Sequence, residues 1–159
     1  MKVLKVNVYV VCMLGDRNEN VLDVFVCCNK EDLSVILEDS YGEFFDIKDE
    51  DENGFMGFEC DDENGGVIVN VNKFIENVDE NELKFGLGVM LNNSKNGFVS
   101  VCKGCINEDV LEDVSFERLI EDLEVSNEES KGIYFDLEEV KKIKIKVSSE
   151  WNCFEVIKK

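Results

Sequence analysis

Six consecutive residues, Asp49, Glu50, Asp51, Glu52, Asn53 and Gly54, set out oxygen donors in the order D-x-D-x-N-G that opens a calcium loop. Alternate side chains of such a loop surround a hard cation, and the glycine permits the sharp turn between them. Counted from Asp49, the position that must supply a bidentate Glu falls on Cys60, with Glu59 one residue early. The flanks alternate like strands rather than repeat like the helices of an EF-hand. The run therefore reads first as an acidic hairpin turn. A calcium site at Asp49, Asp51 and Asn53 is the alternative, with Asp61, Asp62 and Glu63 as spare ligands, and no other cofactor is expected.

Cys102 and Cys105 stand in a C-x-x-C, a spacing that lets two thiolates share a zinc ion or close a redox disulfide. Zinc needs a second pair. Cys27 and Cys28 are adjacent and chelate poorly, which leaves Cys12, Cys60 or Cys153 in a chain with no His. A thioredoxin-like role would need a cis-proline, and the chain has no Pro. Packing at a strand end accounts better for this pair.

Without His there is no Ser-His-Asp or Cys-His arrangement, so any acid or base must be Asp, Glu, Lys, Tyr or Cys. Paired carboxylates could serve a glycosidase, but 36 acids in 159 residues bring carboxylates together by density alone. Neither G-x-x-x-x-G-K nor G-x-G-x-x-G occurs, and Gly86-Leu87-Gly88 lacks the third glycine. The expectation is that the protein is not an enzyme.

Ala, Thr, Pro, His and Gln are all missing, although together they should fill roughly 30 positions of a chain this long. In the standard code these are the five amino acids whose every codon contains cytosine. The constraint therefore belongs to the gene, since no folding requirement would discard Ala, the best helix former, while keeping 7 Cys. Small buried positions pass to Cys, Ser, Gly and Val, and turns are marked by Gly, Asn, Asp and Ser.

The elements that must position these residues follow from periodicity. Strands are expected near 3 to 12, 21 to 28, 43 to 48, 55 to 60, 67 to 72, 83 to 91, 98 to 102 and 141 to 147, with further extended pieces at Ile133 and around Phe154. In the first strand Val6, Val8, Val10, Cys12 and Leu14 share a face. Asn29 can cap a short helix carrying Leu33, Ile36 and Leu37, ended by Tyr41-Gly42. The main helix is expected within 107 to 125, with a possible new cap at Ser115 and a loop over SNEESKG. Lys142, Lys144 and Lys146 would guard an exposed strand edge. The core should include Val8, Val10, Val24, Phe58, Ile68, Leu87, Leu119, Ile143 and Ile145. The sum is a single α+β domain over residues 1–159, dominated by antiparallel strands.

Charge completes the reading. Residues 16–139 hold 34 acids against 9 bases, a net of -25, inside a chain whose total is -19. Such a balance disfavours nucleic acid and anionic membrane as direct partners and favours a basic protein surface. No apolar run approaches about 18 residues, and the N-terminus alternates without a cleavage signal, so the cytoplasm is expected, with reduced thiols. The functional expectation is a small acidic inhibitor, of the immunity-protein, antitoxin or anti-defence kind. It would block a basic, nucleic-acid-acting partner, as a monomer or small homo-oligomer. Its surface would comprise Asp49, Glu50, Asp51, Glu52, Asp61, Asp62 and Glu63 on turns, with Glu108, Asp109, Glu112, Asp113, Glu121 and Asp122 on the main helix. The alternatives are a recoded or generated frame that only folds, and the calcium-binding module.

Overall fold

The strand at the centre of the fold is apolar on both faces. In β2 (Asn7–Leu14), Val8, Val10 and Cys12 enter one core while Tyr9 and Val11 enter another. A strand can bury both faces only if both edges are paired, and β2 lies antiparallel between β3 (Glu19–Cys27) and β6 (Gly66–Asn70). Outward from β6 come β5 (Phe55–Cys60) and β4 (Phe45–Ile47), also antiparallel, so β4, β5, β6, β2 and β3 form a five-stranded antiparallel sheet. A two-residue strand, β8 (Cys105–Ile106), adds parallel to the start of β3. This computed structural model describes residues 2–14, 19–60, 65–76, 82–86, 105–106, 116–148 and 153–158.

Helix α1 (Lys30–Tyr41) covers the Tyr9 face of the sheet. It starts where Asn29 accepts the Asp32 N–H through Oδ1, and it ends at Gly42, whose left-handed φ of 69° suits a residue without Cβ. Leu33 and Leu37, four apart, bury fully against Phe45, Met56, Phe58 and Ile68. The opposite face is closed by α2 (Val71–Glu76), by α3 (Phe116–Glu129) and by the segment Leu137–Ile143. Leu119, Ile120 and Leu123 of α3 pack there half-buried.

Two smaller sheets complete the α+β architecture. β10 (Ile143–Ser148), β11 (Cys153–Lys158) and β7 (Glu82–Gly86) form an antiparallel set with β10 at an edge, and β1 (Lys2–Lys5) pairs parallel with β9 (Ile133–Asp136). The expected strands thus divide among three sheets rather than one. The expected strand at 3 to 12 is two strands. It breaks at Val6 because residues 2–5 pair with β9 and residues from Asn7 onward pair with β3 and β6.

Two helical readings are also corrected. The run at 67 to 72 leaves the sheet at Asn70, whose Oδ1 accepts from the Lys73 N–H and turns Val71 into a helix. The last turn of α3 occupies Ser126 to Glu129, expected as loop. Asn127 holds it by accepting the Phe135 N–H at 2.6 Å and donating to the Phe135 carbonyl at 2.8 Å, the two bonds a neighbouring strand would make. The first half of the expected helix, 107 to 115, the strand at 98 to 102, and Leu87 lie outside the described residues. Of the expected core, Val8, Val10, Val24, Phe58, Ile68 and Ile143 are buried and Leu119 is half-buried.

Candidate functional site

The acidic turn between β4 and β5 is built around Asp51. Its Oδ1 accepts the N–H groups of Asn53 and Phe55, each at 2.9 Å, and its own N–H donates to the Phe55 carbonyl at 2.9 Å. Gly54 sits at φ 89° and accepts the Asn70 N–H at 2.7 Å, and a Cβ there would fall 2.8 Å from the Asn70 carbonyl. Only glycine meets both demands. The carboxylate of Asp51 therefore braces the turn, as Asx side chains do.

The neighbours of Asp51 diverge. Asp49 is fully exposed and lies 3.7 Å from the Lys30 ammonium, while Asn53 is exposed beyond it. Among the described residues no three His, Cys, Asp or Glu side chains are grouped to hold a metal ion. Asp49, Asp51 and Asn53 share this turn, and backbone N–H groups take Oδ1 of Asp51. Glu50 turns inward instead. Its Oε2 lies 3.5 Å from the Lys73 ammonium, and its Oε1 is buried without a hydrogen-bond partner.

Behind that turn lies a cavity of about 360 Å³, walled by Asn7, Tyr9, Cys28, Lys30, Glu50, Met56 and Asn70. Its surroundings disfavour further negative charge. Burial first, and then the nearby Cys27 and Glu50, hold the Tyr9 phenol well above its ordinary value. Burial, with Asp32 and Cys28 adding to it, pushes the Cys27 thiol up to about 12, and the same burial and Asp32 raise Cys28. Both thiols stay protonated at neutral pH, where an un-ionised thiol is a poor nucleophile.

The second acidic feature is the outer surface of α3. Glu117, Glu121, Asp122, Glu128 and Glu129 are exposed there, and Glu124 is half-buried. Between the end of this helix and β9 runs a groove of about 730 Å³, in which Glu124, Glu128, Asp136 and Glu138 surround Tyr134 and Lys141. Lys141 pairs with Glu124, and that bond, with Tyr134 nearby, raises the lysine above its ordinary value. Four acidic residues and one lysine thus line the groove. Apolar Val125, Ile133 and Tyr134 are exposed beside them, with Val3 opposite Tyr134 in register.

Of the expected surface, the structure places Asp49 to Glu52 on one turn and Glu121 with Asp122 on α3. Asp61, Asp62, Glu63, Glu108, Asp109, Glu112 and Asp113 lie outside the described residues, as does Cys102. The local pattern does not show the groove: Glu124 and Glu128 are one helical turn apart, but it takes the fold-back of β9 onto α3, held by Asn127 on Phe135, to bring Asp136 and Glu138 to them. Among the described residues no helix is long and apolar enough to cross a membrane. Compared with known proteins, the chain matches no family model, no curated protein and no solved structure.

Proposed function

We propose that this chain is a non-catalytic, cytoplasmic acidic binding protein that blocks a basic, nucleic-acid-acting partner, presenting carboxylates where nucleic acid would present phosphates. The observation that carries the reading is the placement of acid where it opposes the fold. Glu128 and Glu129 occupy the last turn of α3 and Glu38 and Asp39 that of α1, and neither helix has a basic residue in its last turn. Helix carbonyls make that end negative, so each such acid costs roughly 0.3–1 kcal/mol where a lysine would stabilise. Charge that weakens its own helix is explained by an external cation, and opposed charge steers encounter and rejects like-charged partners. The groove beside α3 adds an aromatic ring and apolar rim to the carboxylates, the mixture that binding faces use.

The test is affinity capture from the cytoplasm of the source cell with the wild-type chain and with a variant carrying Glu121→Lys, Asp122→Lys, Glu128→Lys and Glu129→Lys. The expected result is recovery of a basic nuclease, deaminase or other nucleic-acid-binding protein by the wild type, its loss with the variant, and inhibition of the captured protein by added wild type. Recovery of no basic protein would end this reading.

A further inference from the structure

We propose that Asn53 is a spontaneous modification site which the native fold holds closed: its side-chain amide converts to a carboxylate only when the turn between β4 and β5 opens. The proposal is independent of the binding reading above. Asn53 precedes Gly54, and in an Asn-Gly pair the following backbone nitrogen reaches the side-chain amide with least hindrance, because no Cβ stands in its way. The chain has two further pairs of this kind, Asn64-Gly65 and Asn96-Gly97.

The reaction needs only water and hydroxide. Base removes the Gly54 N–H proton and the nitrogen attacks Cγ of Asn53. A C–N bond forms and ammonia leaves, which closes a cyclic imide. Water then opens the ring at either carbonyl. One opening leaves an ordinary aspartyl residue, and the other an isoaspartyl residue whose main chain runs through the former side chain.

Asn53 is exposed, so water and hydroxide reach its side chain. What the turn withholds is the nucleophile. The Gly54 N–H donates to the Asp51 carbonyl at 3.1 Å, which keeps the proton in place and directs it across the turn. The peptides on either side are pinned as well. Asn53 N–H is held at 2.9 Å by Asp51 Oδ1, and the Gly54 carbonyl accepts the Asn70 N–H at 2.7 Å. Attack therefore requires a local opening that breaks the Gly54 bond and frees its neighbours. The two products differ in what they do to the closed turn. The aspartyl form keeps the main-chain length and adds one charge at an exposed position. The isoaspartyl form adds a carbon to the main chain just before Gly54, where even a Cβ would fall 2.8 Å from the Asn70 carbonyl and 3.3 Å from the Lys73 Cβ. The closed turn has no room for it.

The test keeps the wild-type protein at mildly alkaline pH, folded in buffer and unfolded in guanidinium chloride, and follows conversion at each Asn-Gly pair by peptide mapping with mass spectrometry. In the unfolded chain Asn53 should convert about as fast as Asn64 and Asn96, and in the folded chain at least about tenfold more slowly than in the unfolded one. Asp51→Ala removes the Oδ1 bonds and should speed the folded reaction at Asn53 by about tenfold, whereas Asn127→Ala, which weakens the fold at α3 and β9, should speed it far less. If Asp51→Ala does not fold, the wild-type comparison decides. The isoaspartyl protein, separated by ion exchange, should unfold at lower urea than the wild type, while Asn53→Asp should match the wild type. Equal rates at Asn53 in folded and unfolded wild type, equal acceleration by Asp51→Ala and Asn127→Ala, or an isoaspartyl form as stable as the wild type would overturn the proposal.

Discussion

Asp51 shows how one residue can carry a metal-loop signature and spend it on the backbone. Its carboxylate bonds to two N–H groups that would otherwise be unpaired at the entry to β5. Asp51→Ala should therefore lower stability by about 1–3 kcal/mol in urea unfolding, while Asp51→Asn, which keeps an acceptor at Oδ1, should cost less than half as much. Loss of stability only in the presence of calcium would contradict this role. Cys27 makes a second prediction at the same scale. The unfolded thiol ionises near its ordinary value of 9.0, whereas the buried one holds its proton up to about 12. A raised native pKa means that its contribution is whole below pH 9 and is lost as pH rises toward 12. Tyr9 acts in the same direction at higher pH. The urea midpoint should hold steady from neutrality to about pH 9 and then fall, more gently in Cys27→Val; equal slopes in both proteins would argue against it.

Among elements, asparagine does much of the joining. Asn127 replaces a missing strand neighbour at Phe135, Asn72 accepts the Val8 N–H at 2.8 Å where β6 has ended, and Asn7 donates to the Cys28 carbonyl past the end of the β2–β3 pairing. Asn127→Ala should cost about 1–3 kcal/mol and speed hydrogen exchange at the Phe135 amide, because both groups of Phe135 lose their partner. An unchanged exchange rate would show that α3 and β9 do not depend on this bond. The same residues explain what was legible beforehand. Alternation found β2, β3, β5 and β10, and a cap with i, i+3, i+4 apolar spacing found α1, because those elements follow their own local pattern. By its local pattern Asn70 reads as a strand residue, which it is, and Asn127 as a loop residue, and neither pattern shows that the side chain ends or joins an element. Their roles depend on Lys73 and on Phe135, and the second is a contact between elements that no local period encodes. The division into three sheets was hidden for the same reason: nothing in residues 2–5 announces that their partner is β9.

For the whole molecule, charge is the dominant quantity. A net of -19 repels itself, so the fold should gain stability as salt is raised from about 0.01 to 0.15 M, read as a rising urea midpoint. A midpoint independent of salt would mean that the acids are too dispersed to act together. The acidity is legible from composition and its share on the main helix from Glu121 and Asp122, but the groove beside β9 is not, since Glu124 and Glu138 come to line it only in three dimensions. The central claim is that this charge serves to seize a basic protein. Its most direct test is the association rate of the wild-type chain with the captured partner, measured by stopped flow as a function of ionic strength. Between about 0.01 and 0.15 M, where the Debye length shortens from about 30 to 8 Å, the rate should fall by roughly tenfold or more, and the variant with lysines at Glu121, Asp122, Glu128 and Glu129 should lose most of that dependence. A rate that stays flat across this range, or a variant that associates as fast as the wild type at low salt, would contradict it.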